Sequence, residues 1–512
     1  MTSSPEQLPE VDRPGDHSHL IGEADHPALA GVDIEIHGLD TIPSDERAKK
    51  PRDLFWPWFG ANVNVLGLSF GSFLLSFGIA YWQGLIVGII GGILSFVFVG
   101  LVAIGSKRSS APTMVTSRSV FGVDGNRIVS LFSWMLAVGW ETILTTLAVL
   151  ATYTILEKLG LRGQTATEAV SLAIIAAAVV LTGIYGYQIV MRMEYWISIV
   201  TGALSIVFIA LTVSHIHFHA LSGMKAGSAP LAIGAFCFIM VGFGLGWTNT
   251  AGDYSRYLPR TSSGSSVATW TTLGASIPCT VMLIFGVLLA GSSPSLSSAI
   301  AANPIGALAS ILPTWFMIPF LFVAVTGMIA TAVLEIYSSG LSLLAVGLPV
   351  PRYVAATLDG LVMIAGSIYI IFFAQNFIGP FEAFLTTTGV PISVWCGMFI
   401  ADMLLRKNGY VERDLYTSRG RYGSVSWPSV ALLIVGTVIG WGLITNNTVG
   451  WLSWQGYFLG PFGLGGVNGE WAYADLGVVI GLVVGFLGYF SYGVRTVRRQ
   501  EAVPAEAAPA RV

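Results

Sequence analysis

Within the long apolar run at residues 312–346 of this 512-residue chain, in "TAVLEIYSSG" (331–340), stands a carboxylate, Glu335. A charge inside hydrocarbon is expensive, and one that persists faces a cavity, pairs with a partner or relays protons. Its two oxygens also suit the N–H edges of a small planar ring. The plainer alternative is a structural hydrogen bond to Ser or Tyr of a neighbouring helix. Three more acids sit in or beside apolar runs. Glu141 follows Trp140 and so points elsewhere on a helix, which fits a gate or a packing role. Glu194 opens another run beside Arg192, as an internal gate residue or an interfacial charge. Asp253 and Arg256, at i and i+3, are spaced to pair, for structural support or for gating.

Aromatic and small polar residues surround these acids in sequence. Trp140, Trp247 and Phe243 offer faces for a flat ligand, although membrane proteins also use Trp freely at their interfaces. Asn64 and Ser69 add polar groups inside an apolar run. The alternating "HIHFH" (His215, His217, His219) would suit a metal on an extended strand; it reads instead as an interfacial loop, and no metal site is expected. Cys237, Cys279 and Cys396 lie singly in apolar segments without metal or redox spacing and read as small core residues. No HExxH or GxSxG stands in a span and no repeated filter sequence is visible, so neither an enzyme nor a channel is indicated.

The elements that must carry these residues follow from composition. With 54% hydrophobic and 10% charged residues and a net charge of −3, the chain is a polytopic membrane protein and not a nucleic-acid binder. Segments of about 20 mostly apolar residues recur twelve times, near 56–80, 84–106, 128–154, 168–190, 194–214, 231–250, 268–291, 312–346, 353–374, 382–404, 428–446 and 474–494. The eighth is long enough to require tilt or a non-spanning end. All but Lys158, Arg162 and Lys225 of the 25 Lys and Arg fall in the tails or the even-numbered loops, which predicts cytoplasmic termini.

Two spans are interrupted where hydrocarbon least tolerates free backbone groups. The first reads "WFGANVNVLGLSFGSFLLSFG" and the sixth "VGFGLGWTNTAGDY". They lie five spans apart, as in transporters built from two inverted five-helix halves, where such breaks form the site near the midplane. Close packing of glycines is the alternative reading.

An ordered set of motifs resembles the nucleobase cation symporters of the purine-cytosine permease family over roughly residues 54–445. They are "WFGANVN", "SRSVFGVDGNRI", Gly139-Trp140, "YGYQIVMRMEYW", "GWTNTAGDYSRYLP" and "EIYSSGLSL". The resemblance implies a five-plus-five inverted repeat with two extra C-terminal helices, and symport of a flat heterocycle with a cation. It places Trp140 where relatives stack a Trp on the ligand ring, and Leu144 where they carry a hydrogen-bonding amide. Glu335 replaces the Asn that precedes Ile-Tyr-Ser in fungal carriers, and Glu194 matches the Glu of their "HTYERY". Nine residues before Asp253, where relatives carry a ring-contacting aromatic, stands Gly244, with Phe243 beside it and Trp247 one turn on. The hydroxyl pair that serves sodium in some relatives falls on Ile329 and Ala330, one residue from Thr331. Embedded carboxylates argue instead for H+ as the coupling cation, with Na+ as the alternative and no other cofactor.

The expectation is therefore an all-α integral membrane protein with 12 transmembrane helices, of which helices 1 and 6 are broken. Residues 1–55 read as a disordered cytoplasmic tail, 56–404 as the transport core (repeats 56–214 and 231–404), 405–494 as a cytoplasmic loop with two accessory helices, and 495–512 as a second disordered tail. The expected activity is proton symport of a nucleobase such as cytosine or a purine across the cell membrane. The alternative is a sodium- or proton-coupled permease for allantoin, hydantoin, thiamine or a pyridoxine-like heterocycle. Trp140, Glu335, Trp247, Phe243, Ser69 and Asn64 are the expected substrate-binding residues, and Glu194, Asp253 and Glu141 the coupling or gating ones.

Overall fold

The computed structural model describes residues 38–161, 163–185, 187–374, 377–446 and 448–503, and all regular secondary structure among them is helical. Among the described residues ten helices are long and apolar enough to cross a membrane. An eleventh span is made of two pieces, Pro51–Asn62 and Leu66–Ser76, bent by 62° where Val63 leaves the helical region. The expected eleventh span, Trp427–Trp441, is an apolar helix of 15 residues. At 1.5 Å per residue it reaches about 22 Å, less than the hydrocarbon core of about 30 Å. The eighth span, Thr314–Val346, is one continuous 33-residue helix, so its excess length is accommodated without a break.

The sixth span is interrupted differently from the first. Its helix Ala229–Met240 runs into a wide turn at Val241–Leu245, within which Phe243 leaves the helical region, and resumes as Ala251–Ser255. The buried span therefore continues past residue 250, the limit read from hydropathy, and carries Asp253 inside.

Packing reflects a two-fold relation between the halves. The pieces of span one lie on span seven (Gly264–Gly291), and the pieces of span six lie on span two (Tyr81–Ser109). Span three (Asn126–Lys158) and span eight face each other along their lengths at the centre. Glycines make both approaches possible. A side chain at Gly71 would overlap the backbone of Gly286 and Val287, and one at Gly244 would overlap that of Ser95. The close-packing reading thus holds for these glycines; Gly67 and Gly242 also pack closely, against the Met282 and Phe70 side chains, and border a cavity as well.

Both expected tails are shorter than read. Ile42 is fully enclosed, its N–H donates to Ser110 O at 3.0 Å, and Gly38 O and Leu39 O accept from Arg256 and Tyr416. The last helix, Gly477–Ala502, continues to Gln500, which accepts from Arg406 at 2.7 Å. These partners lie far away in sequence, so the polar composition of the segments gave no sign of them. Residues 1–37 and 504–512 lie outside the described residues. The three cysteines are buried and unbridged, and the His215–His219 stretch forms the turn after span five.

Candidate functional site

A cavity of about 30 Å³ lies where the two breaks meet spans three and eight. Span one contributes Asn62, Asn64, Gly67 and Phe70, and span six contributes Gly242, Phe243 and Trp247. Trp140 and Leu144 come from span three, Cys279 from span seven and Thr331 from span eight. The volume suits one or two waters and no heterocycle, so in this conformation the walls are drawn in.

Four of the thirteen lining residues are aromatic: Phe70, Trp140, Phe243 and Trp247. Phe70 and Phe243 meet edge to face at 4.8 Å, Trp140 stands edge-on to Phe381 at 5.6 Å, and Trp247 is edge-on to Trp58 at 5.6 Å. Phe243 is also stacked on Phe96 at 6.0 Å, and ring stacking of this kind is what a planar ligand would use. The Trp140 indole N–H lies over Gly246, where an added Cβ would sit 3.0 Å from it.

The polar groups of the break are engaged with backbone. Asn64 Nδ2 donates to Ala61 O at 3.0 Å and Thr331 Oγ1 donates to the same oxygen at 3.3 Å, while Asn62 Nδ2 donates to Trp58 O at 2.9 Å. These bonds supply the partners that the opened helix would otherwise lack.

Of the expected binding residues, Trp140, Trp247, Phe243 and Asn64 line the cavity, and Ser69 and Glu335 do not. Ser69 faces away into packing with its hydroxyl unpartnered. Glu335 lies one helical turn beyond Thr331, 1% exposed, and neither of its oxygens makes a hydrogen bond. Among the described residues no structural hydrogen bond to Glu335 of the kind offered as its plainer role is found, and the acid stands beside the cavity rather than in its wall.

Asp253 is enclosed, and its Oδ1 accepts from Thr113 N–H at 2.9 Å and Thr113 Oγ1 at 3.0 Å, which ties span six to the chain after span two. The Arg256 guanidinium reaches Tyr337 OH at 2.8 Å, Tyr257 OH at 3.2 Å and Gly38 O at 3.0 Å. Glu141 is buried against spans eight and nine, away from the cavity. The side chain of Glu194 lies outside the described residues.

Two contributors escaped the sequence reading. Phe70 lies in the broken first span but was hidden among many apolar residues. Asp359 is an acid in the ninth span (Arg352–Phe372), fully enclosed, and accepts from Trp134 Nε1 at 2.6 Å and Ser339 Oγ at 2.9 Å. The cost argument that singles out Glu335 applies equally to Asp359. Among the described residues no group of three His, Cys, Asp or Glu is arranged to hold a metal ion.

Two broken spans that meet around an aromatic-walled cavity inside a polytopic helical core define an inverted-repeat membrane transporter. The family model described as "Permease for cytosine/purines, uracil, thiamine, allantoin" matches residues 41–460, and the chain belongs to that family. A Bacillus subtilis protein named putative purine-cytosine permease YxlA is 23% identical over 468 residues, covering 89% of this chain and 95% of its own. The Saccharomyces cerevisiae purine-cytosine permease FCY2 is 24% identical over 266 residues, 51% of this chain and 49% of its own. Among solved structures, the nucleobase-cation-symport-1 transporter Mhp1, closed with bromovinylhydantoin bound, superposes with a TM-score of 0.69 at 17% identity. That match covers 90% of this chain and 95% of Mhp1, and it establishes the five-plus-five fold.

Proposed function

We propose that the chain takes up a small planar nucleobase, such as cytosine or a purine, into the cell by proton symport across the plasma membrane, with both termini cytoplasmic. On this reading residues 56–404 form the transport core, and the two helices beyond it, Trp427–Trp441 and Gly477–Ala502, are accessory. The observation that carries the reading is the cavity itself: Trp140, Phe243 and Trp247 converge from spans three and six where both broken helices meet. The family's members and the hydantoin bound to Mhp1 support a flat heterocycle.

Two features favour H+ over Na+. Ala61 O, a carbonyl freed at the break, already accepts from Asn64 and Thr331, and three enclosed carboxylates, Glu335, Glu141 and Asp359, lie close by. Leu144 in the cavity wall favours a second reading for the ligand. An apolar side chain there cannot hydrogen-bond a base edge, which suits an allantoin, hydantoin, thiamine or pyridoxine-like ring bound by stacking and shape.

The test is competition uptake into proteoliposomes with labelled cytosine, adenine, uracil, allantoin, hydantoin, thiamine and pyridoxine under an imposed pH or sodium gradient. Saturable uptake of one of them, driven by the pH gradient and abolished by an uncoupler, is the expected result. Uptake that follows only sodium, or none in either gradient, refutes it.

Within that assay Trp140→Ala is expected to weaken apparent affinity by about tenfold, since ring stacking contributes about 0.5–1.5 kcal/mol beyond burial. Trp140→Phe should retain part of the affinity. Equal affinity of wild type and Trp140→Ala at matched abundance would return Trp140 to packing.

A further inference from the structure

Glu141 does not line the cavity, yet its carboxylate is fully enclosed. It is aimed at the seam of spans eight and nine. There it faces Ser339, whose hydroxyl donates to Asp359 Oδ2 at 2.9 Å, and it lies within Coulombic reach of both Asp359 and Glu335. Asp359 also accepts from Trp134 Nε1 at 2.6 Å. Glu335 and Ser339 are one turn apart on span eight and so share a face. Thr331, which lines the cavity, Glu335 and Ser339 follow one another at one-turn spacing along span eight, and Ser339 leads to Asp359, two turns from the Arg352 end of span nine; Glu141 faces this row from span three.

We propose that Glu335, Glu141 and Asp359 are a proton relay running beside the substrate cavity, in which Glu141 is the intermediate carrier and Asp359 the exit carboxylate toward the face that bears Arg352. The inference rests on the proton-coupled reading above. In the first step the Glu335 O–H bond breaks and an O–H bond forms on the Glu141 carboxylate, leaving Glu335 anionic. In the second the proton passes from Glu141 to the Asp359 carboxylate, directly or through the Ser339 hydroxyl, which gives up its own proton to Asp359 as it receives one from Glu141. Asp359 then releases the proton to water and is left as an anion held by the Trp134 and Ser339 donors, which suits an acceptor that must be anionic between turnovers.

A fourth enclosed acid borders this path. Span six presents Asp253, whose charge reaches Glu335 and whose oxygen is held by Thr113. The cations on this side are Arg256, which donates to Tyr337 OH, and Arg352, which reaches Gly183 O at 3.4 Å and lies over the Tyr337 ring. Span ten carries Asp402, paired with Arg406, and Glu382, whose charge reaches Asp475 instead.

The experiment reconstitutes the full chain with a pH dye inside the vesicles and follows the panel compound that wild type accumulates. Glu141→Gln and Asp359→Asn are each expected to lower pH-driven accumulation and the accompanying internal acidification about a hundredfold. Counterflow exchange of the same compound should persist and certify folding. Trp134→Phe, which keeps the ring and removes one donor from Asp359, is expected to move the pH midpoint of uptake, a readout that a packing role would leave in place. Undiminished proton-driven accumulation in Glu141→Gln or Asp359→Asn, or an unmoved midpoint in Trp134→Phe, overturns the relay while leaving proton symport standing. Wild-type accumulation that follows sodium and ignores pH overturns the symport reading itself, and the relay with it.

Discussion

Replacing Glu335 by glutamine should abolish accumulation of substrate against a gradient while exchange across the membrane continues. The side chain is enclosed on all sides, neither oxygen has a hydrogen-bond partner, and Thr331, one turn away, lines the cavity. A carboxylate in such a place carries charge only at a cost of several kcal/mol, so binding and release of a proton can be coupled to what occupies the cavity next to it. Glutamine keeps the shape and removes the titration. Glu335→Asn, which restores the residue of the fungal carriers, should shift the range of compounds taken up more than it harms folding. The measurement is uptake against pH for wild type and both variants at matched membrane abundance. A pH profile in Glu335→Gln that coincides with wild type would remove the coupling role.

The second large effect concerns stability at the opposite end of the core. Asp402 and Arg406 form a salt bridge at 2.7 Å, with side chains 0% and 1% exposed, where span ten meets the last helix. Tyr489 OH donates to the same carboxylate at 2.8 Å and Ser119 Oγ at 3.2 Å, and Gln500 accepts from the guanidinium at 2.7 Å. Asp402→Ala therefore strands a buried cation along with two hydroxyl donors. Breaking a buried pair from one side typically costs about 3–5 kcal/mol, whereas replacing both partners by apolar residues can be nearly neutral. The variant should show a marked fall in Tm in detergent, and Asp402→Leu combined with Arg406→Met should recover much of it. A Tm for Asp402→Ala equal to wild type would mean that water reaches the pair.

Glu335 and Asp359 illustrate how far a linear reading goes. Both are single acids in apolar runs, and the transfer cost that marks one marks the other. Yet Glu335 drew attention because it replaces a family residue, and Asp359 was passed over. What neither position reveals in sequence is direction. Glu335 was expected in the wall of the site and stands beside it, because the face that a residue presents is decided by the tilt and rotation of span eight against span three. Asp253 shows the same limit, since its spacing pointed to Arg256 and its carboxylate accepts from Thr113, 140 residues away. Glycines divide likewise: Gly71 and Gly244 bring backbones together, Gly67 and Gly242 border the cavity, and the four look alike in sequence.

The membrane class, the interrupted first and sixth spans and the aromatic endowment of the site were determined by the sequence alone. Each is a sum of local terms: transfer of apolar side chains into hydrocarbon, the cost of unpaired backbone groups and the placement of positive charge. The tertiary structure alone decided which breaks face each other, which aromatic residues converge, that Ile42, Leu54 and Gln500 are buried in the fold, and that Asp359 is held by Trp134 and Ser339. Those outcomes depend on contacts between residues hundreds of positions apart, whose energies exist only once the helices have taken up their mutual rotation and depth.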